Sequence, residues 1–416
     1  MPRSDTHCCT IENSMTNRRL AGSRLLMVGV LISFAASSPI ATAADQAPAK
    51  QNTLTAAEID DGWIQLFDGE TLFGWAPGSE ADWKVADGVI SVTSGKPGLL
   101  HTTSEFSDYV LKVDFRAPKK TNSGIFLRTP AVPKSPTVDC YEANVADPSI
   151  SSFPTGSLVG RKKGNVERFT TDWQTYEIRV EGDRFRLKLN GTEVLDYSDP
   201  KPLGRGFIGL QLNTGKAEFR NIKLKPLALK DLFNHKDLTG WRLYPGKPTV
   251  ATVTKDGDLN VKTGSGQVES EEKFGDFALQ AEVICNAKKV NSGIFFRCIP
   301  GELMNGYECQ IQNSFKNGDR TKPQDFGTGA IYRRQEARKV VSDDFRWFHM
   351  TLIATGLHMA AWVDGYPVSD WTDDRPPNAN PRNGSRVEPG TLAIQAHDKT
   401  TDLSLRYIRA AEMRPR

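Results

Sequence analysis

The sequence predicts an all-β protein made of two copies of one sandwich domain in tandem, and three observations support this. An ordered set of short motifs occurs twice along the chain. Asn-Gly and Asp-Gly pairs, which tolerate the positive φ of tight hairpins, recur at matching places between alternating apolar and polar residues. Glycine and proline number 35 and 24 of 416 residues, and long amphipathic helical runs are scarce, which favours many short strands.

The internal repeat has the same order in both copies. Matching segments are 66–75 with 232–241, 106–109 with 274–277, 122–128 with 291–297, 141–142 with 307–308, and 210–213 with 394–397. Hairpin turns match as well, with Asn190-Gly191 corresponding to Asp364-Gly365. A repeat of this length predicts a duplicated domain, with copies at residues 62–227 and 228–416. So short a junction predicts that the two domains pack side by side.

The N-terminus has the features of an export signal. Basic residues precede an apolar run, Leu25–Ala36, which is too short to span a bilayer comfortably, and Ala41-Thr42-Ala43 resembles a cleavage site. We therefore predict a signal peptide over residues 1–44, a flexible leader over 45–61, and a periplasmic or secreted protein without membrane insertion after cleavage. The alternative is an uncleaved membrane anchor.

Charge and cysteine content exclude several classes. The 53 Lys and Arg residues nearly balance 50 Asp and Glu residues without a basic stripe, so no nucleic-acid partner is expected. No C-x-x-C pair is present, which argues against a thiolate zinc site. Strand alternation places Cys298 and Cys309 on the core face, either as ordinary buried thiols, which we favour, or as a strand-to-strand disulfide.

Polar residues interrupt otherwise apolar strands at matching places. Alternation predicts that they collect on the outer face of one sheet in each copy. They are Arg128, Glu142, Asn144 and Gln211 in the first copy, and Arg297, Glu308, Gln310, Gln395 and His397 in the second. An Arg and a Glu on neighbouring strands can simply form a cross-strand ion pair. Their repetition favours a site with an acid/base pair, a fixed cation and amides able to bind a polyol.

Each copy resembles the 3-keto-disaccharide hydrolase domain family. The residues that carry the resemblance are the opening Leu-Phe-Asp/Asn … Gly-Trp, Asn-Ser-Gly-Ile-Phe … Arg, Tyr-Glu, Thr-Gly and the closing Gln-x-His/Asn. The resemblance covers nearly the whole chain after the signal. It implies a concanavalin-A-like jelly-roll sandwich in each copy, and hydrolysis of glycosides whose sugar carries a ketone at carbon 3.

The resemblance also implies a chemistry with three roles. A base removes the acidified C2 hydrogen, an acid protonates the leaving group, and a cation or dipole faces the developing enolate. We assign these catalytic roles to Glu308, His397 and Arg297. Gln310 and Gln395 would orient hydroxyls, and a divalent metal near Glu308 and His397 is an open alternative. An oxidoreductase could supply the ketone.

The two copies depart from the family pattern differently. The first keeps Asp147 but has Asn213 in place of His, and Asn213 cannot act as a base. The second keeps His397, Gln310 and Tyr332 but has Asn313 in place of the Asp. We therefore predict catalysis in the second copy and sugar binding or a vestigial site in the first. The remaining predicted binding residues are Tyr332, Asn313, Arg128, Glu142, Asn144, Asp147 and Gln211.

Two other classes of function remain open at this stage. The same sandwich fold serves non-catalytic lectins, which would use exposed aromatics such as Trp83, Tyr244 or Trp371. A structural or adhesion module is the weaker alternative. The long loop of the second copy, Thr372–Pro389, has a length typical of functional lids or rims.

Overall fold

The computed structural model describes residues 51–166 and 170–416, and strands dominate this part of the chain. Helix α1 (Ala56–Asp60) precedes the first copy. The strands of the first copy are β1 (Ile64–Gln65), β2 (Trp75–Pro77), β3 (Lys84–Ala86), β4 (Val89–Val92), β5 (Gly98–Thr102), β6 (Tyr109–Arg116), β7 (Asn122–Thr129), β8 (Tyr141–Ala146), β9 (Gln174–Glu181), β10 (Arg184–Leu189), β11 (Thr192–Ser198), β12 (Phe207–Leu212) and β13 (Ala217–Pro226).

The second copy repeats this arrangement. Its strands are β14 (Lys230–Asp231), β15 (Trp241–Leu243), β16 (Val250–Val253), β17 (Leu259–Lys262), β18 (Gly266–Phe274), β19 (Phe277–Cys285), β20 (Ser292–Cys298), β21 (Tyr307–Ile311), β22 (Phe348–Thr355), β23 (His358–Val363), β24 (Tyr366–Thr372), β25 (Gly390–Ala396) and β26 (Asp402–Glu412). A single 3₁₀ turn, Lys316–Gly318, follows β21 in this described part.

Each copy folds as two facing antiparallel sheets. In the first copy the larger sheet has the order β11-β10-β9-β6-β13-β4-β3, with β1 on β13, and the smaller has the order β2-β5-β12-β7-β8. In the second copy the corresponding orders are β16-β17-β26-β19-β22-β23-β24, with β14 on β26, and β15-β18-β25-β20-β21. The prediction of two tandem all-β sandwiches is confirmed.

Strand alternation divides each smaller sheet into a core face and an outer face. In β7, Ile125 and Leu127 are fully buried in the core between the sheets, whereas Phe126 belongs to a separate cluster on the outer face. In β12, Leu210 is likewise in the core while Gln211 faces outward into a cleft. The period of two therefore places the polar residues of these strands together on one surface.

The two sandwiches pack against each other, as the short junction predicts. Trp362 of β23 is 5% exposed and joins the core of the first sandwich, where its indole N–H donates to the carbonyl of Gln65 at 2.8 Å. Ion pairs also cross the junction, with Arg338 2.9 Å from Asp68. A buried tryptophan that keeps its hydrogen bond favours a fixed contact between the domains.

Residues 51–61, predicted to belong to a flexible leader, instead contain α1 and pack on the first sandwich. Thr55 and Glu58 form a capping box at the start of α1, and Glu58 pairs with Lys223. Asn52 is 7% exposed and its side chain hydrogen-bonds the backbone of Gly88 and Asn221. The predicted signal peptide lies outside the described residues. Within the described ones, we find no helix long and apolar enough to span a membrane.

Candidate functional site

The outer face of the second sandwich carries buried Glu269 on β18, whose carboxylate accepts hydrogen bonds from the Thr391 hydroxyl and the backbone N–H of Gly301. A further buried glutamate occupies a matching place on each outer face, Glu142 on β8 and Glu308 on β21. Both face a glycine of the neighbouring strand. A Cβ on Gly124 would lie 2.7 Å from the Cγ of Glu142, and one on Gly293 would lie 2.8 Å from the Cγ of Glu308. This close approach explains why glycine recurs at positions 124 and 293, since a side chain at either position would displace the carboxyl group of the glutamate.

In the second sandwich, Glu308 is only 3% exposed and has one cationic partner. Burial raises the pKa of its carboxyl group to about 7, although the charge of Arg382 opposes the rise. Both terminal nitrogens of Arg382 lie 3.2 Å from Oε2 of Glu308. Asp325 adds a smaller upward contribution to the same pKa. A carboxyl group with this pKa can both accept and return a proton near neutral pH.

Two glutamines flank Glu308 with unpaired oxygens. The amide nitrogen of Gln310 donates to Asn291 and Asp325 at 3.2 Å, while that of Gln395 lies 3.2 Å from the sulfur of Met304. Both Oε1 atoms are buried without a hydrogen-bond partner in the described chain. Buried acceptors of this kind ordinarily have partners, so they fit a ligand that brings hydroxyl donors.

His397 follows β25 at the edge of this face and is exposed. Its Nδ1 lies 3.0 Å from a carboxylate oxygen of Asp398, and its charge lowers the pKa of Glu308 slightly. Tyr332 lies on the other side of the glutamate, where its backbone N–H donates to the carbonyl of Glu308 at 2.9 Å. The structure thus places Glu308, Gln310 and Gln395 on one face with His397 at its edge, as the alternation indicates, and it adds Tyr332, which the resemblance predicts.

The first sandwich assembles the corresponding residues in a more open setting. Burial alone raises the pKa of Glu142 to about 7, and no side chain in the described chain pairs with its carboxyl group. Asn144 and Gln211 have unpaired oxygens here. Glu142, Asn144, Gln211 and Asn213 all line one cleft of 480 Å³.

Arg297 and Arg128 do not lie on the outer faces. The prediction that places these two side chains in the candidate sites is therefore wrong. Arg297 is 0% exposed and donates to the carbonyls of Gly275, Gly356 and Arg386 and to the carboxylate of Asp276, at 2.6–3.0 Å. Arg128 repeats this pattern with the carbonyls of Ser107, Gly182 and Leu203 and with Asp108. Both arginines tie loops together at one end of their sandwich.

A β-bulge explains why alternation fails at these arginines. Arg128 and Arg297 have φ of 48° and 50°, and the strand register shifts between Phe295 and Cys298. One extra residue in the strand turns the side chain off the face that strict alternation assigns to it.

The side chains of Asn313 and Asp147 also form hydrogen bonds with other residues of the protein and do not take part in the candidate site. Asn313 is 5% exposed, accepts a hydrogen bond from Thr328 at 2.6 Å and donates to Asp344 at 3.1 Å. Asp147 accepts the backbone N–H groups of Lys120 and Ser149 at 2.8 and 2.9 Å, which hold the pKa of its carboxyl group below the ordinary value. Both residues organise turns beside the sheet.

The same bulge separates two cysteines predicted to share the core face. Cys309 lies in the core of the second sandwich, whereas Cys298 packs with Phe295 on the outer face. The four cysteines of the described chain are buried and free. The favoured prediction of ordinary buried thiols is confirmed, and the disulfide alternative is wrong.

Sequence reasoning missed Arg382, Asp325 and Met304, which surround Glu308. Arg382 belongs to the long loop after β24, whose length alone indicated a rim or lid. It has no counterpart in the first copy, so the repeat could not indicate it. The described residues contain no group of three or more His, Cys, Asp or Glu side chains placed to hold a metal ion.

Comparison with known proteins identifies the family. A model of the 3-keto-alpha-glucoside-1,2-lyase-like domain matches residues 62–225 and again 228–410. The chain belongs to this family. Each copy is a sandwich of two antiparallel sheets, as the resemblance implies.

A curated protein similar to this chain is a 3-keto-disaccharide hydrolase from Bacteroides thetaiotaomicron, 28% identical over 127 residues. The match covers 24% of this chain and 44% of that protein. Among solved structures, a "putative glycosyl hydrolase" from Parabacteroides distasonis is 19% identical, with a TM-score of 0.36 over 43% of this chain and 100% of that one. A Bacillus licheniformis beta-glucanase is 16% identical, with a TM-score of 0.31 over 44% and 96%.

Proposed function

We propose that the protein cleaves glycosides whose sugar carries a ketone at carbon 3, by elimination followed by hydration. The observation that carries the proposal is Glu308, a buried carboxyl group with a pKa of about 7 beside the unpaired oxygens of Gln310 and Gln395. The family match supports this substrate class.

The reaction uses Glu308 first as a base. Its carboxylate takes the C2 proton, which the 3-ketone acidifies, and the C2–H electron pair forms the enolate. The enolate then collapses, a C1–C2 double bond forms, and the C1–O bond breaks. His397 donates a proton to the departing oxygen. Water adds at C1, His397 takes its proton back, and Glu308 returns a proton to C2, so that the net reaction is hydrolysis.

Arg382 replaces Arg297 as the cation of the proposed site. Arg297 is fully buried with its donors committed to Gly275, Gly356, Arg386 and Asp276. Arg382 is partly exposed and already contacts the glutamate. A guanidinium in this position can stabilise the negative charge that develops on the C3 oxygen as the proton leaves.

The second sandwich remains the proposed location because His397 lies at the edge of the face that carries Glu308, and its charge acts on the pKa of that carboxyl group. The corresponding residue of the first sandwich, Asn213, has no basic lone pair. A screen of the purified protein against 3-oxidised disaccharides, with and without chelator, tests the activity. Release of the two sugars is expected. Absence of turnover on all of them would favour a binding module instead.

We also propose export and an oxidoreductase that supplies the ketone. The signal-like residues 1–44 support the first, and the need for an oxidised substrate supports the second. N-terminal sequencing of the protein made by its natural host tests the export proposal. A mature N-terminus after Ala43 is expected, and an intact Met1 or Met15 would contradict it.

The proposed base predicts opposite effects of pH on activity and stability. Because Glu308 must be ionised to accept the C2 proton, kcat is expected to rise through a pH of about 7. The free energy of unfolding should change in the opposite direction and fall as the pH rises. As pH rises from the ordinary carboxyl value of 4.5 to about 7, the unfolded chain ionises this group while the folded chain keeps it protonated. Glu308→Gln should therefore reduce the loss of unfolding free energy across this range. An identical loss in the variant would contradict the assignment.

Replacing Arg382 should move the pH profile. Because the guanidinium holds the pKa of Glu308 down, Arg382→Gln is expected to shift the ascending limb of kcat to higher pH and to lower its plateau. Arg386→Gln is the matched control, since the Arg386 guanidinium donates to Ala379 within the same loop and does not contact Glu308. Equal shifts in both variants would show a loop effect rather than a charge effect.

A further inference from the structure

The side chains proposed to act on the substrate in the second sandwich are covered in this structure. Glu308 is 3% exposed, and Gln310 and Gln395 are buried as well. A general base must come within about 2.6–3.2 Å of the proton that it removes, so a substrate cannot reach Glu308 while these groups stay covered. The strands beneath them are fixed in the sheet by their hydrogen bonds. Any opening must therefore come from the loops above the face.

One cover is the segment 299–306 between β20 and β21, here called the short flap. Met304 of this flap lies on the outer face, with its sulfur 3.2 Å from the amide nitrogen of Gln395. Gln267 of β18 tethers the flap twice. Its Oε1 accepts the backbone N–H of Met304 at 2.7 Å, and its amide nitrogen donates to the carbonyl of Glu302 at 3.1 Å.

The closed short flap holds Met304 in an unfavourable backbone conformation. Its φ of 56° lies in the left-handed region, which residues other than glycine seldom adopt. Such a conformation persists because surrounding contacts enforce it, and it is relieved when they are released. The backbone of the flap therefore favours opening, and the contacts of Met304 oppose it.

The second cover is the segment 373–386, here called the long flap. Both terminal nitrogens of its Arg382 lie 3.2 Å from the carboxylate of Glu308, while Nε donates to the carbonyl of Met304 at 3.1 Å. The guanidinium carbon is also 4.9 Å from the ring centroid of Phe295. Arg382 thus joins the two flaps to each other and to the glutamate that they cover.

The long flap has hydrogen bonds of its own that let it move as a unit. Arg375 donates to the carboxylate of Asp373 at 2.8 Å and to the carbonyl of Pro381 at 2.9 Å. The hydroxyl of Tyr307 fixes both ends, since it donates to Asp373 at 2.7 Å and accepts the backbone N–H of Arg386 at 2.8 Å. A segment tied together internally and fixed at its ends can pivot about them, as enzyme lids do.

The first sandwich differs at the residue that tethers the short flap. Gln211 and Gln395 hold matching places, and their cross-strand partners are Leu99 in the first copy and Gln267 in the second. A leucine side chain has no group that could hold a loop backbone. Leu99 and Glu142 line an open cleft of 480 Å³ instead. The covered face is thus a feature of the second copy and not of the shared strand arrangement.

We propose that the two flaps form a gate over Glu308, which is closed in this structure, opens to admit the substrate and closes again on it. Arg382 is the latch of this gate, and Gln267 is the tether of the short flap. The proposal rests on the proposed function for the identity of the substrate. Opening itself is a property of the free protein. Closure on bound substrate would bring the guanidinium of Arg382 to the developing charge on the C3 oxygen.

Cys298 provides a probe of opening that does not depend on turnover. It is buried on the outer face under the short flap, where a Cβ on Gly306 would lie 2.6 Å from its sulfur. Cys309 of the same sandwich is buried in the core instead. Burial raises the pKa of both thiols, so neither reacts readily while covered. In the folded full chain, iodoacetamide is expected to label Cys298 at least about 10-fold faster than Cys309, as measured by tandem mass spectrometry.

Two variants should open the gate further. Gln267→Leu gives the second copy the residue of the first and removes both tethers, so labelling of Cys298 should become about 5- to 100-fold faster, the value of two hydrogen bonds. Arg382→Gln removes the ion pair of the latch and should make it about 2- to 5-fold faster. Arg382 is partly exposed, so this second variant keeps the test in place if the first fails to fold.

Gln310→Leu is the matched control for Gln267→Leu. Gln310 is equally buried on the same face, but its side chain bonds to Asn291 and Asp325 and to neither flap. Labelling of Cys298 should therefore stay as in the wild type. Labelling of Cys309 identifies any variant in which the whole sandwich unfolds.

Two results would overturn the proposal. One is equal labelling of Cys298 and Cys309 in the wild type and in both gate variants, because Cys298 would then be reached only by unfolding. The other is equal acceleration by Gln310→Leu and Gln267→Leu, which would show a general loosening of the face. Failure of the proposed reaction is seen separately, as absence of turnover on 3-keto glycosides, and leaves the labelling rates unchanged.

Discussion

Glu308→Gln is expected to lower kcat for a 3-keto glycoside by about 10²–10⁴-fold, the contribution of a general base. The substitution keeps the size and shape of the side chain, so it removes only the ability to take up and return a proton. The pKa of about 7, which follows from burial, suits Glu308 to the proposed role of proton acceptor. Turnover by purified variant and wild type on one oxidised disaccharide measures the effect.

Glu142→Gln provides the comparison, because Glu142 has the same raised pKa on the other sandwich. A loss of turnover of the stated size in Glu142→Gln, with turnover retained in Glu308→Gln, would move the base to the first sandwich. Losses in both would indicate two active copies. Either result would contradict the assignment based on His397 and Asn213.

Arg297→Met is expected to lower the free energy of unfolding by about 3–5 kcal/mol, as for other buried ion pairs that lose one partner. The guanidinium is 0% exposed, and its removal takes a donor from three loop carbonyls and one of two arginine partners from Asp276, which keeps Arg205. Urea unfolding at pH 7 measures the change. The same substitution at Arg128 should have an effect of similar size, since its contacts repeat those of Arg297.

Arg409→Met is the control for Arg297→Met, because Arg409 pairs with Asp231 at 2.7 Å on the surface. Exposed ion pairs contribute about 0–1 kcal/mol, so the free energy of unfolding of Arg409→Met should differ little from that of the wild type. If Arg297→Met unfolded like the wild type and instead abolished turnover, a catalytic role for Arg297 would be restored.

Sequence alternation could locate most of the candidate site. It placed Glu308, Gln310 and Gln395 on one face, because regular strands obey a period of two whatever surrounds them. It failed at Arg128, Arg297 and Cys298, because a β-bulge adds one residue to the strand there. The residue types in these strands do not indicate that bulge.

The sequence by itself determined the duplicated all-β architecture, the matching glutamates Glu142 and Glu308 of the two outer faces, and the family. These properties are local and repeated, so each copy confirms the pattern of the other. Only the tertiary structure decided which face is open. Arg382 reaches Glu308 across 74 residues of chain, and Asp325 and Met304 also come from separate loops. Such contacts depend on loop paths, which carry no periodicity, and they make two faces with matching strands unequal in access and charge.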